Sequence, residues 1–257
     1  MLDVPRSVRL AAWGTAVLRG EASVAAAVQA VTRDDEPHAV TSPDAADGDL
    51  AALLGDLLGS ASSLRVVLPA PGDVLGLPGP PSFNIEALDA GECVISCARP
   101  GQPPVGLVPV VVAFGSQWEP GAMVAWQRHA VDQRRVTDWG SLSEAERALR
   151  TVLAEATRSL SALDVARWRE DAAERIAAVR DGGLPRDVLP PGTDARSVRV
   201  LGTAARVRAI VALAGEDDGA TVSGWEATQR TRALAGVDGV ARRAMAAAVD
   251  VSLLPAR

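Results

Sequence analysis

The chain has 257 residues, a formal net charge of −6 and a pI near 5.1. A chain of this length buries roughly three quarters of its unfolded surface, so it can form a core without metals or disulfides. All of its 26 basic residues are arginines, which excludes mechanisms that need a lysine amine, including a P-loop, a protein-kinase ATP site and a pyridoxal phosphate Schiff base. Nucleic-acid affinity depends on cationic contacts, so the acidic balance disfavours a nucleic-acid-binding protein.

The amino-terminal part is predicted to be mainly helical. Residues 5–31 have the apolar spacing of two short helices that meet at Gly20, and residues 50–61 have the apolar face of a third. Between them, residues 32–49 are rich in acidic residues and contain two prolines. This composition predicts a solvated loop with His38 as a surface residue. The chain start lacks the apolar segment of a signal peptide, and no apolar window is long enough to span a membrane, so we expect a cytoplasmic protein.

Four β-rich runs follow, at residues 64–69, 92–98, 105–114 and 122–131, each bounded by glycine and proline clusters. Their short links predict an antiparallel meander, because parallel crossovers need a dozen or more residues. The last two runs are expected to form a hairpin around GSQWEPG. The run VGLVPVVVAF is apolar enough for a buried strand, in which Pro109 indicates an edge position or a bulge.

Two cysteines, Cys93 and Cys97, lie in the second of these runs. In a strand their Cα atoms are about 13 Å apart, whereas a disulfide needs less than about 7 Å. We therefore expect two buried free thiols.

The carboxy-terminal part has helical periodicity, and it opens with two overlapping capping boxes, Ser141 with Glu144 and Ser143 with Glu146. The whole pattern predicts an α+β protein with a central antiparallel β-meander, N-terminal helices and a C-terminal helical bundle-like part. We expect domains at 1–142 and 143–257, the second packed on the sheet.

The segment PGDVLGLPGPP, residues 71–81, contains three glycines that could let the backbone approach an anion. Its four prolines remove the amide donors that such a cradle needs, so the pattern favours a rigid, extended, polyproline-like connector. In the alternative interpretation the loop borders a ligand pocket. The candidate ligand-binding residues are then Gly76, Asn84, Arg128 and His129.

His129 is the one histidine placed in predicted ordered structure, so it is the candidate general base. A hydrolase would place it near Ser116 or Ser96 and an acid such as Asp132, but no GxSxG motif supports that triad. We assign no catalytic residue and no cofactor.

An acidic cluster, Glu86, Asp89 and Glu92, follows the loop. Carboxylates at this spacing on a short helix are typical of a solvated face, so we assign no metal site. Trp118 in the hairpin turn and Trp139 before the C-terminal helices are candidate partner-binding residues, because exposed tryptophans often anchor interfaces. Trp139 could equally staple the first long C-terminal helix to the sheet.

Three stretches carry a resemblance to known proteins: PGDVLGLPGPPSFNIEALDAGE at 71–92, LDVARWRED at 163–171 and LPPGT at 189–193. They are similar to a group of uncharacterised proteins from high-GC actinobacteria, and the resemblance covers most of the chain. It implies a bacterial cytoplasmic protein and transfers no activity and no functional residue.

With few catalytic options, the sequence favours a non-enzymatic binding or adaptor protein that recognises a protein partner or a small molecule. The alternative is a small-molecule-binding enzyme of hydrolase type, with a pocket between the 71–81 loop, His129 and the helical part. A third hypothesis is nucleic-acid binding through one arginine-rich C-terminal helix, although ion pairs with acidic neighbours explain these arginines more simply. They are Arg196, Arg199, Arg206 and Arg208.

Overall fold

The computed structural model describes residues 2–43, 47–116, 119–133, 139–162, 178–179, 181–215 and 224–252. The helices within these ranges are α1 (Arg6–Leu18), α2 (Val24–Thr32), α3 (Leu50–Ser60), α4 (Pro81–Ala90), α5 (Leu142–Ala162), α6 (Ala195–Gly215) and α7 (Gly224–Ser252). The strands are β1 (Ala39–Thr41), β2 (Gly48–Asp49), β3 (Ala61–Val67), β4 (Cys93–Ala98), β5 (Val105–Gly115) and β6 (Pro120–Ala130). The predicted α+β class is confirmed.

The strands form one sheet in the order β2-β1-β6-β5-β4-β3. Strands β3 to β6 pair antiparallel with their neighbours in sequence, which confirms the predicted meander. Strand β1 is parallel to β6 and antiparallel to β2, so the sheet as a whole is mixed. The expectation of a continuous loop over residues 32–49 is wrong, because strands of three and two residues are too short to show an alternating pattern.

Helix α1 is the centre of the N-terminal layer, since every residue from Ser7 to Leu18 is buried. It packs on β3, where the Thr15 hydroxyl accepts a 2.8 Å hydrogen bond from the Leu64 amide and donates to the Leu64 carbonyl at 3.3 Å. Gly14 permits this approach, because a Cβ there would collide with the Leu64 side chain. The core of this layer therefore depends on close backbone packing between α1 and β3.

Helix α4 packs on the opposite face of the sheet. A Cβ on Gly106 of β5 would lie 2.7 Å from Cζ of Phe83 and 2.6 Å from the Val131 side chain, so the missing side chain makes room for the buried Phe83 ring. Gly91 ends the helix as a C-cap with a φ of +70°. This contact holds α4 against the centre of the sheet.

The chain divides into two compact units, one of residues 5–138, 187–193 and 252–257 and one of residues 1–4, 139–186 and 194–251. The first contains the sheet with helices α1 to α4. The second contains helices α5 and α6 and nearly all of α7. Across the described parts of both units, no helix combines the length and the apolar character needed to cross a membrane.

The start of α5 carries one of the two predicted capping boxes. The Ser141 amide donates to the Glu144 carboxylate at 2.7 Å and the Glu144 amide donates to the Ser141 hydroxyl at 3.3 Å. The bond from the Ser141 backbone lowers the pKa of Glu144 below its ordinary value. The second box does not form in this way, because the Glu146 carboxylate accepts a 2.8 Å bond from Arg196 of α6.

Candidate functional site

His129 lies on β6 beside helix α4, with its side chain 16% exposed. Its Nε2 atom is 3.1 Å from the Glu86 carboxylate, but the two are outside hydrogen-bond geometry, and this buried nitrogen has no hydrogen-bond partner among the described residues. The Phe83 ring meets the imidazole edge-on, with 5.5 Å between ring centroids. The structure thus brings together a histidine and a carboxylate, Glu86, that sequence reasoning placed on a solvated face.

The segment 71–81, which precedes α4, folds into tight turns. Ala70 and Asp73 exchange backbone hydrogen bonds of 3.0 and 2.8 Å across the first turn. The three glycines of the segment have φ values of +83°, +93° and +96°. The expectation of an extended, polyproline-like connector is wrong, because these glycines adopt positive φ values that redirect the chain.

The predicted ligand-binding residues do not form one cluster. The Asn84 side chain accepts a 2.9 Å bond from a backbone amide of the 71–81 loop, and Gly76 lies partly exposed in that loop. Arg128 precedes His129 on the strand, so its side chain projects from the other face of the sheet. There it forms a 3.1 Å ion pair with Asp56 of α3. Arg128 and His129 therefore serve different surfaces.

The serines considered as nucleophiles are not placed beside His129. Ser96 lies on the opposite face of the sheet, where its hydroxyl accepts a 2.7 Å bond from the Val105 amide. Ser116 lies ten residues along β5 from the position opposite His129, about 33 Å in an extended strand. Asp132 is exposed, and its amide donates to a carbonyl of the 71–81 loop. These residues do not assemble a Ser-His-Asp triad.

His38 is buried, so the expectation of a surface histidine is wrong. Its Nε2 atom is 3.1 Å from Asp35, and its Nδ1 atom is 3.1 Å from the indole nitrogen of Trp126. Arg6 binds the same carboxylate through two hydrogen bonds of 2.7 Å. The position of His38 three residues after Asp35 was the one signal in the sequence for this contact. Trp126 and Arg6, the other members of the network, are remote from His38 in sequence.

This buried network fixes the protonation of the imidazole. An indole N–H can only donate, so His38 accepts at Nδ1 and carries its proton on Nε2, where it donates to Asp35. Burial lowers the pKa of His38, with Asp35 opposing the shift. Burial also acts to raise the pKa of Asp35, but hydrogen bonds from Arg6 and His38 hold it below its ordinary value. With both ring nitrogens occupied and no exposed edge, the network is structural.

The acidic cluster is split between two environments. Asp89 is exposed, whereas the Glu92 carboxylate accepts a 2.7 Å bond from the Ser7 amide at the positive end of α1. Burial raises the pKa of Glu92, and the Ser7 bond and the charge of Arg9 oppose that shift. The expectation of a solvated face is therefore wrong for Glu92. No cluster of three potential metal-ligating side chains occurs in the described ranges.

The far end of the β5–β6 hairpin is exposed. We call residues 109–116 and 119–125 the hairpin arm. Four large apolar side chains share one of its faces, because directly paired residues of adjacent strands lie on the same side. Their exposed fractions are 40% for Val110, 51% for Val112, 46% for Phe114 and 52% for Met123. The expectation of a buried strand is wrong over this half of β5.

The outer edge of the arm has backbone groups that pair with no other described strand. Ser116 and Glu119 exchange two 3.2 Å backbone hydrogen bonds. Hydrogen-bonded and non-hydrogen-bonded pairs alternate along an antiparallel hairpin, so this pair fixes which residues of β5 bond to β6. Every second residue from Pro109 to Gly115 therefore directs its backbone polar groups away from β6. Strand β4 pairs with β5 only at positions 106 and 107, so within the described chain no strand covers this edge. Pro109 lies where the covered edge ends, as predicted for an edge proline.

The helical unit has its own cavity of about 280 Å³ between α5 and α6. Its walls combine the apolar residues Leu149, Leu153 and Val200 with Arg150, Arg199 and Glu146, and the Glu146 carboxylate is bound by Arg196. This combination suits a small ligand with an anionic group and an apolar body. Of the other arginines on α6, Arg196 pairs with Glu146 and Arg208 pairs with Asp238 of α7, as expected from intramolecular ion pairing.

The two candidate partner-binding tryptophans have different outcomes. Trp118 lies outside the described residues. Trp139 is partly buried, two residues before the Ser141 cap of α5. Its assignment to a partner surface stays a prediction.

Two family models match the chain, the N-terminal domain of Rv1486c-like proteins over residues 7–139 and their C-terminal domain over residues 143–246. The chain belongs to the Rv1486c-like family. It is 33% identical over 241 residues to uncharacterized protein Rv1486c of Mycobacterium tuberculosis strain H37Rv, a match that covers 80% of this chain and 82% of the relative. An uncharacterized protein of Mycobacterium avium is 29% identical over 245 residues, covering 80% and 78%. No solved structure matches.

The predicted membership of an uncharacterised actinobacterial family is thereby confirmed. The names of these Rv1486c-like relatives state no activity, ligand or partner.

Proposed function

We propose that this protein is a non-enzymatic binding or adaptor protein of the cytoplasm, which engages another polypeptide through its hairpin arm. The observation that carries the proposal is the exposure of Val110, Val112, Phe114 and Met123 on one face of the arm. Contiguous exposed apolar side chains on a folded protein mark interaction sites.

We also propose a domain boundary near residue 142, which the separate N- and C-terminal family models support.

The open edge of β5 gives the arm a second means of binding. An unpaired strand edge accepts a further strand through backbone hydrogen bonds, while side chains on the adjoining face supply selectivity. Exposed edges of this kind promote aggregation unless a charge or a partner covers them. Residues 110–115 contain no charged side chain and no proline, so neither of these features protects this part of the edge, which favours a bound partner.

The scattering of reactive groups also favours a binding role. Both serines considered as nucleophiles lie away from His129, and the second histidine, His38, is enclosed by Asp35 and Trp126. His129 therefore has neither candidate serine beside it, which disfavours a Ser-His-Asp mechanism.

Affinity isolation from the native cell at mild salt tests the proposal. The native chain is compared with Val112→Asp, which puts a charge on the arm, and with Ile85→Asp, which makes the same change at a 60% exposed position on α4. We expect proteins retained by the native chain and by Ile85→Asp to be lost with Val112→Asp. Met123→Asp repeats the test on the other strand of the arm, and circular dichroism checks that each variant is folded.

Identical sets of retained proteins with all four chains would reject the proposed role of the arm. The proposed role of the arm would also be rejected if Ile85→Asp and Val112→Asp lost the same proteins, because α4 would then be as important as the arm.

The second candidate is a small-molecule-binding enzyme of hydrolase type with a pocket near the 71–81 loop. One observation favours it: the buried Nε2 of His129 has no hydrogen bond with any described residue and lies 3.1 Å from the Glu86 carboxylate. Such a pair could orient a polar ligand. Hydrolysis of p-nitrophenyl esters by the native chain and by His129→Gln is the direct test, and equal rates would reject this candidate.

A further inference from the structure

We propose that the hairpin arm binds the hairpin arm of a second copy of this chain, with the two β5 edges paired antiparallel about a twofold axis. This inference rests on the proposed role of the arm in binding a polypeptide and names its partner. It would join the two sheets into one continuous sheet across the axis.

Charge favours a second copy as the occupant. The chain as a whole is acidic, with a net charge of −6, so most surfaces of two copies repel each other. The arm is an exception, because Glu119 at its turn is the one ionisable side chain among residues 105–116 and 119–127, and in the register given below it lies far from its counterpart. Two copies can therefore approach through their arms without bringing like charges together.

The length and position of the open edge specify the register. The free segment runs from Pro109 to Gly115, and its midpoint is Val112. With the twofold axis at Val112, residue 111 of one copy lies opposite residue 113 of the other, and residue 109 lies opposite residue 115. This register uses the whole free edge of both copies and leaves the pairing of β4 at residues 106 and 107 intact.

The backbone groups fit this register. Val111 and Ala113 direct their N–H and C=O groups outwards, so each exchanges two hydrogen bonds with its counterpart in the second copy. Gly115 donates to the carbonyl of Pro109 in the second copy, which needs no N–H from the proline. Six intermolecular hydrogen bonds result, and the missing donor of Pro109 falls at the end of the ladder.

The exposed side chains also find apolar neighbours. Val112 faces Val112 of the second copy across the axis, and Val110 faces Phe114 of the second copy on both sides of it. Cross-strand apolar and aromatic pairs of this kind stabilise a sheet. Three of the four exposed apolar side chains of the arm are thus covered.

The interface is small. It consists of seven paired residues per copy. The surface area that these residues bury falls below the roughly 1,200–2,000 Å² that stable complexes bury. We therefore expect a dimer that dissociates on dilution, and the oligomeric state has to be measured over a range of concentrations.

Sedimentation of the native chain is the first experiment. The expected result is a rise with concentration from 26.5 kDa towards twice that mass. Val111→Pro removes an outward N–H without touching the β5–β6 ladder, so it is expected to keep the native circular dichroism and remain a monomer. A native chain that stays monomeric at every concentration overturns the inference, as does a fully dimeric Val111→Pro variant.

Disulfide cross-linking tests the register, in a Cys97→Ser background where the buried Cys93 is the remaining native thiol. A non-hydrogen-bonded pair at the axis places two Cα atoms about 4.5 Å apart, within disulfide range, so Val112→Cys is expected to form covalent dimers on mild oxidation. Val110→Cys is the matched control. Its two copies lie about 14 Å apart along the strands and are expected to remain uncross-linked. Efficient cross-linking of Val110→Cys but not Val112→Cys overturns the proposed pairing.

Failure of the inference and failure of the proposed function give different results. If the native chain is monomeric and Val112→Cys does not cross-link, while Val112→Asp still loses proteins that Ile85→Asp retains, the arm binds a different polypeptide. If the arm variants change neither the set of retained proteins nor the self-association of the chain, both the inference and the proposed function are rejected.

Discussion

Trp126 of β6 and His38, which lie 88 residues apart in sequence, are joined by a 3.1 Å hydrogen bond from the indole nitrogen to Nδ1. The bond lies where the short strand β1 begins to pair in parallel with β6, with Val40 opposite Trp126. A three-residue strand makes few ladder hydrogen bonds, so the link through His38 and Asp35 to Arg6 of α1 helps to hold β1 on the sheet.

Trp126→Phe should destabilise the fold. The substitution removes the donor to His38 and leaves a buried acceptor unsatisfied, which costs about 1–3 kcal/mol. The measurement is the urea dependence of unfolding, followed by far-UV circular dichroism. Trp139→Phe makes the same chemical change at a partly buried residue outside the network and should have a smaller effect. Equal losses in the two variants would contradict the structural role of the Trp126–His38 bond.

Stability should fall as the pH drops below about 6.5, the ordinary pKa of histidine. Burial lowers the pKa of folded His38, so in acid the unfolded chain takes up a proton that the folded chain does not. The lowered pKa of Asp35 adds a further loss at more acidic pH. Glu92 works in the opposite direction, because its pKa is raised in the folded state. Thermal unfolding between pH 8 and pH 5 measures the contributions of His38 and Glu92, and extending it to about pH 3 adds that of Asp35.

His38→Gln separates the histidine from the carboxylates. The variant keeps a neutral polar group in the network but cannot be protonated, so its melting temperature should change less than that of the native chain between pH 7 and pH 5. Parallel pH profiles for the two proteins would mean that His38 does not control acid stability.

Gly106→Ala should destabilise the docking of α4 on the sheet. Its new Cβ would lie 2.6 Å from Val131 and 2.7 Å from Cζ of Phe83, and overpacking of this kind costs about 1–3 kcal/mol. Gly55→Ala on helix α3 is the matched control. A Cβ there meets nothing within 4 Å, so the helix should gain about 0.5–1 kcal/mol. If Gly106→Ala left the free energy of unfolding in urea unchanged, α4 would be shown to shift freely to accommodate the new Cβ.

The two thiols should react at different rates. Cys93 is fully buried, and burial together with the neighbouring Glu92 charge raises its pKa, whereas Cys97 is partly exposed. Only a thiolate reacts readily, so a maleimide should label Cys97 first in the folded protein. Mass spectrometry of the native chain and of Cys97→Ser measures this order, and rapid labelling of Cys93 in the folded Cys97→Ser variant would refute it.

The candidate site could be predicted only in part. Strand β6 and helix α4 were both visible in the sequence, and so was His129 as an ordered histidine. Glu86 was missed because its approach to His129 depends on how α4 packs over Gly106, a contact between residues 23 positions apart or more. Arg128 and His129 were both candidate ligand-binding residues, although alternation along a strand separates their side chains.

The sequence by itself determined the element types, the meander of β3 to β6, the Ser141 capping box and the absence of lysine chemistry, because these follow from local periodicity, turn residues and composition. Only the tertiary structure decided that His38 is buried and that the apolar half of β5 is exposed. Burial is a property of what covers a residue, and its covering side chains come from remote positions such as Trp126. The apolar run of β5 is compatible with a buried or an exposed strand, and the sequence alone does not show how far the neighbouring strand extends. Here β4 pairs only with the first part of β5.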